Sequence, residues 1–169
     1  MTRERHRMDA DPPIVLRAAS ASDLPLVFKL EREYIARFEP KSMKRWQVGI
    51  DRHLEQWVSN LTRMFVAEFA AKAVGYCFWE VNGDEAVLAS ISVLTDYRLR
   101  GVGASLLRRF EDDAMRHGKK LLTLGVVKQN PARYLYESAG YVFARQEETY
   151  CYYEKVILAA QTTAFSAEF

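Results

Sequence analysis

The chain has 169 residues, 49% of them hydrophobic and 27% charged, which suits one globular domain with a real core. A net charge of +2 gives no general attraction to nucleic acid or to an anionic membrane. No apolar run is long enough to cross a bilayer, and Met1 to Asp11 lacks the apolar centre of a secretory signal, so a cytoplasmic location is expected.

Residues 1–13, with Arg3, Arg5 and Arg7, read as a polar tail, either a disordered terminus or an arm for a partner. The domain is expected over 14–158, and 159–169 as a loose tail. Ile14 to Ala18 is a strand candidate. Ser20 and Asp23 have the spacing of a helix-start capping signal, and Leu24, Val27, Phe28, Ile35 and Phe38 recur at helical spacing until Pro40. A second helix is predicted from about Trp46 to Leu61. Met64–Phe69, Val74–Val81 and Ala86–Val93 read as strands, the last two joined by a hairpin at Asn82-Gly83, where both residues tolerate positive φ.

Beyond Val93 the pattern changes to strand, helix, strand. Leu106, Leu107, Phe110, Ala114 and Met115 form an apolar helix face ended by Gly118. Leu121–Val127 has the continuous apolar run of a strand buried on both faces. Asn130-Pro131 opens another helix, with Ala132, Leu135, Tyr136 and Ala139 inward. Tyr141–Glu147 and Thr149–Ile157 are the last strands. The order β-α-α-β-β-β-α-β-α-β-β predicts a single α/β domain around a mixed sheet.

Cys77 and Cys151 lie in apolar, strand-like sequence and belong to no C-x-x-C pair, so free buried thiols are expected. His6, His53 and His117 show no ligand spacing, and no metal is expected.

The segment that carries chemistry is Arg98-Leu99-Arg100-Gly101-Val102-Gly103-Ala104, between a strand and a helix. A helix start offers unpaired N–H groups and the positive end of the dipole, and glycine lets an anion approach that backbone. A dinucleotide-binding fingerprint would need a glycine where Leu106 stands, and a nucleotide P-loop would need Gly-Lys-Ser/Thr where Gly103-Ala104-Ser105 stands. Both fail on the residues, and a ligand-free tight turn stays open.

Arg98, Gly101 and Gly103 resemble the Arg/Gln-x-x-Gly-x-Gly/Ala signature of the GCN5-related N-acetyltransferase superfamily, with Val93 and Tyr97 in similar places and Thr95 in place of a frequent proline. Asn130 to Tyr141, with Leu135-Tyr136 and Gly140, resembles the family's second motif. The resemblance covers roughly Ile14 to Ile157 and is weak before Met64. It implies a sheet that splays between Ala86–Val93 and Leu121–Val127 to admit acetyl-CoA as co-substrate. Backbone from Arg98 to Ala104 would hold the pyrophosphate, Ile91 and Val93 would offer backbone groups to the pantetheine arm, and Asn130 would bond nearby. Arg133 either reaches a phosphate or is an ordinary solvated helix residue.

The resemblance also implies direct transfer to an amine acceptor in a ternary complex. Tyr136 is then the proton donor to the leaving thiolate, its alternative being a core tyrosine. Glu80 is the candidate base, its alternative being a strand residue facing solvent. Tyr34, Phe38 and Trp46 are the candidate acceptor walls, and Glu39 lies beside them. The alternative function is a degenerate domain that binds acyl-CoA as a sensor or scaffold. No nucleic-acid or membrane partner is expected, and a homodimer is allowed for.

Overall fold

The computed structural model describes residues 11–158, so the expected tails at 1–10 and 159–169 lie outside the described residues. The chain runs β1 (Ile14–Ala18), α1 (Leu24–Phe38), α2 (Met43–Val48), α3 (Ile50–Ser59), β2 (Met64–Phe69), β3 (Lys72–Asn82) and β4 (Glu85–Val93). It continues with α4 (Val102–Arg116), β5 (Leu121–Val127), α5 (Ala132–Ser138), β6 (Val142–Glu147) and β7 (Tyr150–Val156). The strands form one sheet in the order β1-β2-β3-β4-β5-β7-β6, antiparallel throughout except for the parallel pair β4–β5. This is the mixed α/β sheet expected from the sequence.

Alternation along the strands divides the interior into two cores. Phe65, Ala67, Cys77 and Trp79 pack with Leu106, Leu107 and Phe110 of α4 and with Tyr136 of α5. Met64, Val66, Tyr76 and Phe78, one register position away, pack with Val27, Leu30, Trp46 and Trp57 beneath α1, α2 and α3. The sheet is therefore covered by helices on both faces, which is why its central strands read as nearly continuous apolar runs.

The start of α1 is fixed from β1. The Ser20 N–H donates to the Asp23 carboxylate at 2.8 Å, and Arg17 donates to both oxygens of that carboxylate at 2.8 Å. Arg17 holds Asp23 below the usual carboxylate range, against the opposing effect of burial. The capping signal thus acts on a 3₁₀ turn, Ala21–Asp23, immediately before the helix.

Two local expectations are corrected. The helix predicted from Trp46 to Leu61 is two helices, because Gly49 closes α2 and opens α3; glycine is among the weakest residues for holding a helix straight through. The β3–β4 hairpin loop is Gly83-Asp84, with Asn82 still paired to Glu85, and Gly83 alone takes positive φ there.

The β2–β3 hairpin turns through Ala70 and Ala71, at φ 49° and 63°. Each alanine Cβ crowds its own backbone in that region, at about 1–2 kcal/mol per residue. Replacing Ala71 with glycine removes the clash and restores some unfolded-chain entropy. Ala71→Gly should raise stability by about 1 kcal/mol, read as a higher urea midpoint at unchanged m-value.

Candidate functional site

The site begins as a defect in the sheet. β4 pairs with β5 only from Glu85–Leu121 to Leu88–Leu124. On its other side β4 pairs Leu88 with Trp79 and Ser90 with Phe78, leaving Ala89 as an extra residue without a partner. Such a bulge bends its strand and increases the local twist. The strand therefore leaves β5 where the bulge sits, and a cavity of about 230 Å³ opens between Leu88–Ser92 and Leu124–Val126. Gly125 belongs to this opening, where a Cβ would come within 2.9 Å of the Tyr152 ring.

Beyond the open end of β4 stands the glycine turn. Leu99 and Gly101 both have positive φ, 59° and 82°, and Gly101 is the N-cap of α4. The first helical bond returned to this turn is Ser105 N–H to Gly101 O, at 3.0 Å. Among the described residues, no protein acceptor takes the N–H groups of Leu99, Arg100, Gly101, Val102, Gly103 or Ala104. Unpaired amides on an exposed turn, at the positive end of a 15-residue helix, form a receptor for an anion. A Cβ on Gly103 would stand 3.4 Å from Leu135 Cδ2, so α4 and α5 approach closely beside the turn.

The basic side chains around the turn do different things. Arg98 Nε donates to the Val93 carbonyl at 3.1 Å, tying the turn to the end of β4. The Arg100 guanidinium lies over the rings of Phe69 and Tyr97, 5.3 and 5.8 Å from their centroids. Arg133 lies over its neighbour Tyr134 and donates to that hydroxyl at 3.2 Å, as a solvated helix residue does. Asn130 Oδ1 caps α5 by accepting from Ala132 N–H at 2.9 Å, and the residue also lines the cavity.

Tyr136 is buried in α5 and reaches the cavity wall. Burial, then the neighbouring Tyr34 and Cys77, push its phenol pKa up, so the proton stays on oxygen through and beyond the neutral range. Tyr34 also lines the cavity, and burial followed by the Glu39 charge pushes its phenol up to about 12. Trp46 lines it too, between Phe28 and His53. Ile91 is in the wall.

The acetyltransferase (GNAT) family model matches residues 27–141. This chain belongs to the GNAT family. Its fold is similar to that of the PaiA N-acetyltransferase from Thermoplasma acidophilum, solved in complex with coenzyme A. The two are 18% identical at a TM-score of 0.73, over 86% of this chain and 99% of that one. The ribosomal-protein-S18-alanine N-acetyltransferase from Escherichia coli is 25% identical at a TM-score of 0.65, over 90% of this chain and all of that one (100%). The ribosomal-protein-alanine N-acetyltransferase from Brucella melitensis is 21% identical at 0.66, over 85% and 99%. No curated protein matches the chain by sequence.

Within this GNAT member, Glu80, Phe38 and Val93 stand outside the cavity wall. Glu80 is not among the residues that line the cavity; its Oε1 accepts from Gln56 Nε2 at 2.9 Å and Asn60 Nδ2 at 3.1 Å. It acts as a tie between β3 and α3, and only Gln56 of that trio reaches the cavity. Phe38 faces a neighbouring recess of about 210 Å³ with Arg37, Thr95 and Arg98, which shares Tyr34 and Ser92 with the cavity. Val93 lines neither space, although its carbonyl holds Arg98.

The carboxylates that do face the cavity are Glu31 and Glu39. Glu31 Oε1 accepts from the hydroxyls of Tyr76 and Ser90, and those two hydroxyls are 2.7 Å apart. Helical spacing from Val27 and Leu30 could have placed Glu31 near the sheet, but nothing in the sequence says that the sheet opens in front of it. Among the described residues, no group of three or more His, Cys, Asp or Glu could hold a metal. No helix there is long and apolar enough to cross a membrane.

Cys77 and Cys151 are free and buried, and burial pushes the Cys77 thiol up to about 12. Both should resist a thiol-modifying reagent in the native protein and react on unfolding. A thiol labelled at once in native buffer would contradict this. Glu80→Gln should leave kcat/KM unchanged across pH, because the carboxylate stands behind Gln56.

Proposed function

We propose that the chain is an acetyl-CoA-dependent N-acetyltransferase that passes acetyl directly to a primary amine in a ternary complex. The observation that carries the proposal is the opening of β4 from β5, with Tyr136 in its wall and unpaired amides beyond its end. That a relative of the same fold was solved in complex with coenzyme A supports it.

The turn fits a pyrophosphate on the chain's own evidence. Among the described residues, six consecutive N–H groups lack acceptors, and at Gly101 a Cβ would meet nothing within 4 Å, so the approach is open. Arg98 and Arg100 keep positive charge alongside. Ala89 to Ser92, released from pairing with β5, present strand edge to the pantetheine arm. Acetyl-CoA supplies a thioester carbon open to attack by a neutral amine.

Around it the protein positions and protonates. Tyr136 keeps its proton and donates it, or a hydrogen bond, to sulfur as the C–S bond breaks, while the attacking nitrogen gives up its proton to Glu31 in the cavity wall or to water. A thiol pKa near 8.5 makes the thiolate a tolerable leaving group, so this help is worth at most ~10²–10⁴-fold. Holding amine and thioester in line contributes the larger share. The buried cysteines take no part, so no acetyl-cysteine forms.

A thiol-release assay with acetyl-CoA and a panel of amines tests the activity. Binding of acetyl-CoA without turnover of any amine would favour a sensor or scaffold instead. Tyr136→Phe should lower kcat at least tenfold at nearly unchanged acetyl-CoA affinity, under conditions where chemistry limits the rate. Gly103→Asp sets a side chain and a negative charge in the anion site. Calorimetry should show acetyl-CoA affinity falling steeply in a variant with native circular dichroism.

A further inference from the structure

The acceptor's charge can be argued from the wall opposite the sheet. Four residues of α1 and its C-cap, Glu31, Tyr34, Ile35 and Glu39, face the cavity as one stripe at helical spacing. Their two carboxylates are separated by eight residues, or ~12 Å along a helix axis. The other titratable groups in the wall are Tyr34, His53, Tyr136 and Tyr150, and no lysine or arginine is among the lining residues. The phenols of Tyr34, Tyr136 and Tyr150 are all held in the protonated form by burial. Among the described residues, the wall therefore sets no lysine or arginine against its two carboxylates.

The Glu31 carboxylate is held in place. Glu31 Oε1 is gripped by the Tyr76 and Ser90 hydroxyls, while Oε2 takes no hydrogen bond among the described residues. Ser90 directly follows Ala89, the bulge residue at which the sheet opens, so Glu31 stands beside the expected reaction centre. Burial, followed by the nearby Glu39 carboxylate, pushes the Tyr150 phenol up, so that ring stands beside Glu39. Between and around them lie the rings of Trp46, Trp57 and Phe78, with His53 stacked against both tryptophans at 5.7 and 6.2 Å.

Carboxylates withdrawn from bulk water favour a cation, and aromatic faces add to that attraction. An acceptor carrying its own carboxylate or phosphate would bring a further negative charge into the same space, with nothing to pair it.

We propose that the acceptor is a linear aliphatic diamine that arrives as a dication, its reacting primary amine held at Glu31, which takes the proton the amine must lose before it attacks, and its second, still positive nitrogen held at Glu39. This rests on the acetyltransferase reading and names its substrate class.

Three six-carbon probes that differ only at the far end test it: 1,6-diaminohexane, hexylamine and 6-aminohexanoate. Calorimetry on the full chain, with and without saturating coenzyme A, measures their binding independently of turnover. The diamine should bind at least tenfold tighter than hexylamine, and 6-aminohexanoate should bind weakest. Glu39→Gln should cut the ratio of diamine to hexylamine affinity at least tenfold, and Glu31→Gln should weaken the diamine and hexylamine alike. Hexylamine or 6-aminohexanoate binding as tightly as the diamine would overturn the proposal, and so would no binding by any probe. Failure of coenzyme A itself to bind would instead count against the acetyltransferase reading.

Discussion

At Ala89 the ladder between β3 and β4 gains a residue with no partner, and one position earlier the parallel pairing with β5 stops. Everything chemical in the molecule is arranged around that departure. A regular β4 would continue its hydrogen bonds past Leu88, and Ser90 to Val93 would be interior sheet. Because it bends away, backbone groups are released at the centre of the domain, where unpaired polar groups are costly. The cost is tolerable where a ligand or water takes those bonds. The bulge is thus a structural liability that becomes sensible once something binds there.

The helices then convert the opening into a site with two ends. α4 carries its N-terminal amides past the outer end of β4, held by the Arg98–Val93 bond and the close contact of Gly103 with Leu135. α5 brings Tyr136 to the wall, fixed by Asn130 at its start and by the Tyr141 ring packed edge-on at 6.1 Å. α1 closes the far side with Glu31 and Tyr34. None of these groups would be reachable if the two strands stayed paired.

Much of this was legible in the sequence, and the boundary of legibility has a physical cause. Alternation and β-branched content placed every strand to within a few residues, and the glycines marked the turn because positive φ at Gly101 admits few other residues. Local rules failed where competing local choices were close in energy. Gly49 could be read as a tolerated helix interior, and Ala70-Ala71 carries no turn signal because neither alanine prefers the conformation it adopts. The positions of Glu80 and Phe38 were not legible for a different reason. Whether Glu80 or Glu31 faces the opening depends on which side of the sheet the opening faces and on how α3 covers β3, and no local pattern encodes either. Glu80 is drawn to Gln56 and Asn60, contacts that are 24 and 20 residues distant in sequence.

The two cores have a consequence for how such a domain diversifies. Met64, Val66, Tyr76 and Phe78 support α1–α3, while their sequence neighbours Phe65, Ala67, Cys77 and Trp79 support α4 and α5. The sheet acts as a partition, with residues one step apart answering to different packing demands. Substitutions under α1–α3 can therefore reshape the cavity wall on that side while the half beneath α4 and α5 keeps its own jigsaw. The molecule is built like a tool with a fixed handle and an exchangeable jaw, and the joint between them is a single layer of strands.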